Sequence, residues 1–303
     1  MLWGVTSYFN PCRYRCWPEN FRTFRRNFPL PLIAVELSFD GEFELGPGDA
    51  EIVVRVDGGD VMWQKERLLS HASSFLPDGC DGVVLTDCDV IVCGAGWDGR
   101  TAALLREYPL VQPFNKVYRL PQGYAHAGRA DWTGYPRYGH SIAQEMRLRG
   151  RAGGALGGAW AVRRATFERH GLYDACILGS GDDAYAQAAF GRIAEAVKNC
   201  RMTPAQEAHY RAWAEPFYEE VQGRAAFTHA RLGLLWHGDY DNRRYFDRHR
   251  CLTEAEFDPA ADIRVGENGA LYWSSDKPAL HQALRQYFLD RREDEPARLT
   301  NTS

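Results

Sequence analysis

The stretch Val83-Val84-Leu85-Thr86-Asp87-Cys88-Asp89-Val90-Ile91-Val92 constrains this chain more than any other. A short, mostly β-branched apolar run needs cover on both faces, and the turn residues Asp78, Gly79, Asp81 and Gly82 precede it. Val83 to Thr86 therefore reads as a buried strand. Asp87 and Asp89 follow in a loop at its carboxyl end. In an open α/β sheet that edge is where ligands bind, and two hard oxygen donors close together suit a divalent cation that also holds substrate phosphates.

Around this run, strand and helix signals alternate. Leu2 to Ser7 reads as a strand leading into the turn Tyr8-Phe9-Asn10-Pro11, and Pro18 to Phe28 as an amphipathic helix with Phe21, Phe24 and Phe28 on its core face. Pro29 and Pro31 close that helix, and Leu32 to Leu37 and Ile52 to Val56 read as further strands. This alternation predicts a parallel sheet. Apolar spacing from Asp60 to Leu76 predicts a helix capped by Asp60, and it carries Lys65 and Arg67, cations within reach of a diphosphate.

From Gly94 to Gly150 the periodicity weakens, and Gly, Pro, Tyr and Arg accumulate, as in Gln122 to Gly128. A long irregular stretch of that kind is functional or mobile. Ala155 to Val162 reads as a strand whose paired glycines, Gly157 and Gly158, let a ligand or another backbone approach Trp160. A short helix, Thr166 to His170, precedes the loop Gly179-Ser180-Gly181-Asp182-Asp183, where two acids open a helix. An ordinary aspartate cap accounts for one of them. Thr203 starts a long helix reaching about Gly223, Phe227 to Trp236 reads as one strand, and His237 follows it just ahead of Arg243, Arg244 and Arg248. A last helix opens at Asp276 and runs to Asp290, and the tail Arg291 to Ser303 is expected to fray.

Length and composition set outer limits. A chain of 303 residues can bury the core of one large α/β domain with a small appendage, here 1–250 and 251–303. A formal net charge of -4 gives no overall basic field for nucleic acid. No apolar run approaches the roughly 20 residues that span a bilayer, so there is no transmembrane segment, and with a strand-like start the cytoplasm is the expected compartment. The eight cysteines read as reduced residues rather than a disulfide framework.

Taken in order, four features resemble the GT-A glycosyltransferases, in particular the family-2-like and galactosyltransferase-like inverting enzymes. They are Val5-Thr6-Ser7 with Asn10-Pro11, the motif Asp87-Cys88-Asp89, Gly157-Gly158-Ala159-Trp160 with Gly171-Leu172-Tyr173-Asp174 and Gly181-Asp182-Asp183, and His237. The resemblance covers about residues 1–250. It implies a GT-A, Rossmann-like α/β fold with a mixed, mainly parallel sheet, and transfer of a sugar from a nucleoside diphosphate sugar, with a UDP-sugar favoured, to an acceptor hydroxyl. The acceptor stays open among a glycan, a lipid-linked sugar, a protein and a modified nucleic-acid base.

The resemblance also implies roles. Asp89 is the direct ligand of Mn²⁺ or Mg²⁺, Asp87 contacts ribose or metal, and His237 is the further ligand, its nitrogen favouring Mn²⁺. Either Asp182 or Asp183 is the general base. Thr6, Ser7, Tyr8, Asn10 and Pro11, with Lys65 and Arg67, line the donor site, and Gly157, Gly158, Trp160 and Arg243 complete it. The acidic loop departs from the Gly-Gly-Glu-Asp type of the galactosyltransferase-like enzymes, which leaves the choice of base open. Two alternatives are a sugar-phosphate nucleotidyltransferase on the same fold and a non-catalytic carbohydrate-binding protein. The first needs a glycine-rich phosphate loop after the opening strand, and Tyr8 to Arg15 holds no glycine.

Overall fold

The computed structural model describes residues 1–124, 132, 134–151, 153–245 and 247–296. Thirteen strands alternate with helices along them. The strands are β1 (Leu2–Phe9), β2 (Leu32–Ser38), β3 (Ile52–Asp57), β4 (Gly82–Thr86), β5 (Val90–Cys93), β6 (Leu110–Gln112) and β7 (Lys116–Arg119). Then follow β8 (Arg137–His140), β9 (Ala159–Arg163), β10 (Ala225–Phe227), β11 (Arg231–Leu234), β12 (Ile263–Val265) and β13 (Leu271–Trp273). The helices are α1 (Cys16–Arg26), α2 (Lys65–His71), α3 (Trp97–Leu105), α4 (Ile142–Arg149), α5 (Arg164–His170) and α6 (Gly181–Ala189). Next come α7 (Ile193–Asn199), α8 (Pro204–Val221), α9 (Arg250–Glu254), α10 (Pro259–Asp262) and α11 (Pro278–Asp290).

A seven-stranded sheet in the order β10-β6-β9-β4-β1-β2-β3 forms the centre. All of its pairings are parallel except those of β9, which runs antiparallel to β4 and β6. This is the mixed, mainly parallel α/β sheet expected, with β1 flanked by β2 on one side and β4 on the other. The chain order reverses between β1 and β4, so a crevice opens outside their carboxyl ends. Along β1 and β2 the side chains alternate. Val5, Phe9, Ile33, Val35 and Leu37 pack toward α2, α6, α8 and α11, while Tyr8, Leu32 and Ala34 pack toward α1 and α3 with Phe21, Phe24, Phe28 and Trp97. Helices thus cover both faces, which explains why these strands read as continuous apolar runs.

A second, four-stranded sheet in the order β5-β11-β7-β8 decides how the site is built. Val90 of β5 pairs with Leu234 of β11, and Leu235 donates its N–H to the Asp89 carbonyl at 2.8 Å. Of the segment 227–236, expected to be one strand, only Arg231–Leu234 is strand, as β11 in the smaller sheet; Phe227 is the last residue of β10, at the edge of the central sheet. The polar turn Thr228–Ala230 changes the sheet, a switch that hydrophobicity alone does not mark.

Other boundaries also move. The helix expected from Asp60 is only α2 with a 3₁₀ turn, Ala72–Phe75, because the Asp60 carboxylate accepts the Trp273 N–H at 2.8 Å instead of capping a helix. The stretch 94–150, expected to be irregular, contains α3 and α4 as well as β6 to β8, while 125–128 lie outside the described residues. The tail is ordered as far as it is described: Arg291 and Glu293 are buried, and 297–303 lie outside the described residues.

Candidate active site

Strand register brings the key acids together. Thr6 of β1 sits beside Thr86 of β4, and Thr86 beside Ala159 of β9, so the chain after Thr86 leaves the sheet next to Gly157 and Gly158. The Asp87 N–H donates to the Gly158 carbonyl at 3.0 Å. Gly158 has φ of +92°, a region that favours glycine, and a Cβ on Gly157 would collide with the Asp182 carboxylate. Gly157 thus admits the start of α6, and Gly158, where a Cβ would strike Leu232, admits β11.

Lys65, at the start of α2, ties these segments together. Its Nζ lies 2.5 Å from Asp87 Oδ1 and 2.9 Å from Asp182 Oδ1. Burial opposes the charge on Lys65, yet the Asp182 and Asp87 carboxylates hold its pKa well above the ordinary lysine range. Burial pushes the Asp87 carboxyl up to about 7 against the pull of Lys65. Because 26% of the Asp87 side chain still meets solvent with Nζ in contact, the charged pair is the state this geometry supports.

Beyond Asp87 the second carboxylate turns to a different partner. Asp89 Oδ2 lies 2.7 Å from His237 Nδ1, yet that nitrogen is buried and makes no hydrogen bond among the described residues, so the two groups face one another without being aligned as donor and acceptor. Burial raises the Asp89 carboxyl, while Arg243, Lys65 and Arg291 pull it back. Among the described residues no three His, Cys, Asp or Glu side chains converge as a closed metal cage. An unaligned carboxylate and imidazole nevertheless fit a phosphate-bridging Mn²⁺ or Mg²⁺, which takes one or two protein donors and fills its other positions with substrate oxygens and water.

The two candidate bases part company. Asp182 faces Lys65 and Asp87, whereas Asp183 accepts from Gln187 Nε2 at 2.9 Å and Asn199 Nδ2 at 2.8 Å, toward α7. Burial raises Asp183, against the lowering that a helix N-terminus alone would bring. Ser180, the N-cap of α6, has φ of +72° and is fixed there by Arg248 Nη2 and His249 Nε2.

Of the other expected donor residues, several are engaged within the fold. Thr6 is buried and donates to the Thr86 carbonyl at 2.8 Å, Tyr8 is buried with its hydroxyl on Glu44, and Ser7 is buried in β1. Asn10 brackets the backbone of Tyr14, donating to its carbonyl and accepting from its N–H at 2.9 Å each, and Pro11 lies half-buried beside it. Arg67 is held by Asp174 at 3.2 Å, and Trp160 is a core residue whose Nε1 donates to the Leu156 carbonyl at 2.7 Å.

Arg243 is at the site. Its Nη2 donates to the His237 carbonyl at 2.7 Å and reaches Glu293 at 3.4 Å. Arg291 pairs with Glu293 and lies 5.0 Å over the Trp63 ring, and among the described residues its buried Nη1 has no partner. Arg248 donates to the Tyr287 hydroxyl at 3.1 Å. Burial acts the other way, but Arg291, Arg248 and Arg243 together hold the Tyr287 phenol below its ordinary value. Two guanidiniums, Arg243 and Arg291, share the Glu293 carboxylate, a setting made for an anion.

Sequence reasoning missed Arg291, Tyr287 and Glu66. The first two lie in a segment with no motif, brought in by α11. Glu66 faces Gly181, where a Cβ would strike its side chain, and burial pushes its carboxyl up to about 8. With Thr86, Asp87, Trp160, Asp182 and Tyr185 it lines a cavity of about 20 Å³, the size of one water. An acid directly before Arg67 in an amphipathic pattern offered no signal for this.

No family model and no curated protein matches the chain. Among solved structures it is similar to S. aureus TarS 1-349, determined also with UDP and with UDP-GlcNAc, at TM-score 0.37 and 10% identity over 71% of this chain and 70% of that one. It is similar to the 4-diphosphocytidyl-2C-methyl-D-erythritol synthase of Anaerococcus prevotii at TM-score 0.33 and 9% identity, over 76% and 87% of the two chains. A third is the catalytic domain of Drosophila β1,4-galactosyltransferase 7 in complex with xylobiose, at TM-score 0.28 and 15% identity over 64% and 61%. Likeness at this level carries no argument about chemistry, which has to come from the site itself.

Proposed function

We propose that this chain is a metal-dependent glycosyltransferase that moves a sugar from a nucleoside diphosphate sugar, a UDP-sugar by preference, to an acceptor hydroxyl with inversion. The observation that carries the reading is the meeting of the Asp89–His237 pair, the Lys65-bridged acids Asp87 and Asp182, and the guanidiniums of Arg243 and Arg291 around one crevice at the β1/β4 switch point. Asp89 and His237 hold the divalent cation, with Asp87 beside them. Bound there, the cation offsets the negative charge that gathers on a leaving diphosphate.

The residues divide the work. Arg243 and Arg291 face the diphosphate, and Arg291 has a buried N–H with no partner among the described residues. The end of β1 at Asn10 and Pro11, with Trp63 ahead of α2, forms the wall for the nucleoside. Asp182 accepts the proton of the acceptor hydroxyl, and its contact with Lys65 Nζ at 2.9 Å holds that carboxylate toward the crevice. The nucleotidyltransferase alternative is disfavoured by the turn after β1. There Asn10 takes the Tyr14 N–H, and Asp294 takes the N–H groups of Arg15 and Cys16 at 2.9 and 3.0 Å, which leaves no backbone cradle for phosphate.

Thermal shift against UDP, GDP and dTDP, with and without Mn²⁺, tests the reading. The wild type is expected to be stabilised by UDP with Mn²⁺, and Asp89→Ala to lose the metal-dependent part while still folding. Unchanged metal-dependent binding in that variant removes Asp89 from the site, and stabilisation by GDP alone removes the uridine choice.

A further inference from the structure

We infer that the cleft between α1 and the Pro121–Tyr124 turn seats the acceptor, and that this acceptor is a single strand of nucleic acid. Its role as acceptor rests on the transfer reading above. The cleft has a volume of about 450 Å³. Arg15, Arg22 and Arg26 line one side, and Tyr124 and Trp236 also line it. The spacings of seven and four residues put the three arginines on one helical face, spread over about 16 Å at the ~1.5 Å rise per residue of an α-helix. Among the described residues no carboxylate lies within ion-pair distance of Arg22 or Arg26. Arg15 is near Asp294 only at 3.7 Å, and Asp294 is already bound to the backbone at the start of α1. Glu19 is the one acid on this face of the helix.

Charges strung along a groove, rather than converging on a point, fit successive phosphates of a strand better than a single lipid headgroup. Trp236 supplies an aromatic wall for a base to stack on, and among the described residues its buried indole Nε1 has no acceptor. The cleft also adjoins the proposed centre. Asn20 Nδ2 donates to the Trp236 carbonyl at 2.8 Å, Leu235 is bonded to Asp89, and the next residue after Trp236 is His237. A nucleotide turned out of the strand in this cleft brings a hydroxyl of its base or sugar toward the donor. In the transfer, that hydroxyl oxygen bonds to the anomeric carbon as the carbon–oxygen bond to the diphosphate breaks. The proton passes to Asp182 and the diphosphate leaves with the bonding pair.

Fluorescence anisotropy with a short labelled single-stranded DNA of mixed sequence tests this across a salt series. Wild type is expected to bind. Arg22→Ala/Arg26→Ala should bind about tenfold or more weakly, with the log–log salt slope reduced by about 1.4, at ~0.7 per phosphate contact on a single strand. Trp236→Leu should weaken binding with the slope retained. Full-strength binding by the arginine variant overturns the inference. So does inorganic polyphosphate competing as well as the DNA, which makes the cleft a general polyanion site, and so does association with phosphatidylglycerol vesicles in place of DNA, which makes it a lipid-phosphate site. Wild-type stabilisation by UDP, measured separately, keeps the two readings apart: DNA binding without UDP binding sinks the donor assignment, and the reverse sinks the cleft.

Discussion

Asp182 and Asp183 are neighbours in the sequence and look equivalent there, yet the first turn of α6 points them in different directions. Asp182 joins Lys65 across the Gly157 notch, and Asp183 is spent on Asn199 and Gln187. With Asp182 as base, Asp182→Asn should lower turnover by about 10² or more while leaving donor affinity near that of wild type. Asp183→Asn should mainly destabilise the α6–α7 contact. Steady-state kinetics beside a UDP titration separates the two, and normal turnover in Asp182→Asn would falsify the assignment. An NMR reading of product configuration then decides inversion. The glycines belong to the same argument, because at Gly157 and Gly181 any Cβ meets a carboxylate side chain that the site needs where it is.

At the scale of elements, α11 does what no motif announced. Its apolar face, Leu280, Leu284, Tyr287 and Phe288, joins the central core, and Phe288 stacks on Trp63 with ring centroids 6.2 Å apart. That packing carries Tyr287 and the following Arg291 to the mouth of the crevice. Truncating a buried phenylalanine costs about 3–5 kcal/mol. Phe288→Ala is therefore expected to lose stability in that range by denaturant titration, and to weaken UDP binding as Arg291 loses its seat over Trp63. A variant equally unstable but with full UDP affinity would separate α11 from the site. The change of sheet between β10 and β11 acts in the same way, since it brings His237 beside Asp89.

For the whole molecule, a buried acid sets a pH dependence. The Glu66 carboxyl stands at about 8 in the fold against an ordinary 4.5, raised first by burial. Between those values the unfolded chain has released a proton that the folded chain retains, so this group's contribution is complete below about 4.5 and is lost as pH rises through about 8. Unfolding midpoints are thus expected to fall from mildly acidic to mildly alkaline pH. Glu66→Gln, which keeps the shape without the titration, should flatten that fall, and an unaltered slope in this variant would remove Glu66 as its source. No helix among the described residues is long and apolar enough to cross a membrane.

The sequence by itself determined what local pattern can determine. The continuous apolar runs marked β1 to β4, the phenylalanine spacing marked the buried face of α1, Thr203 marked the start of α8 by accepting the Gln206 N–H, and Pro278–Asp290 was legible as a last helix from its end signals. Asp87, Asp89 and Asp182 were legible too, as acids at the ends of those elements. What the tertiary structure alone decided is which of them meet. Lys65 bridges acids 22 and 117 residues away in the chain, His237 reaches Asp89 only through β11, and Arg291 arrives from a segment that reads as a polar tail. The reason is physical: hydrophobic period and capping act over a few residues, whereas a shared buried charge, a glycine notch or a change of sheet depends on long-range packing that leaves no periodic trace in the chain.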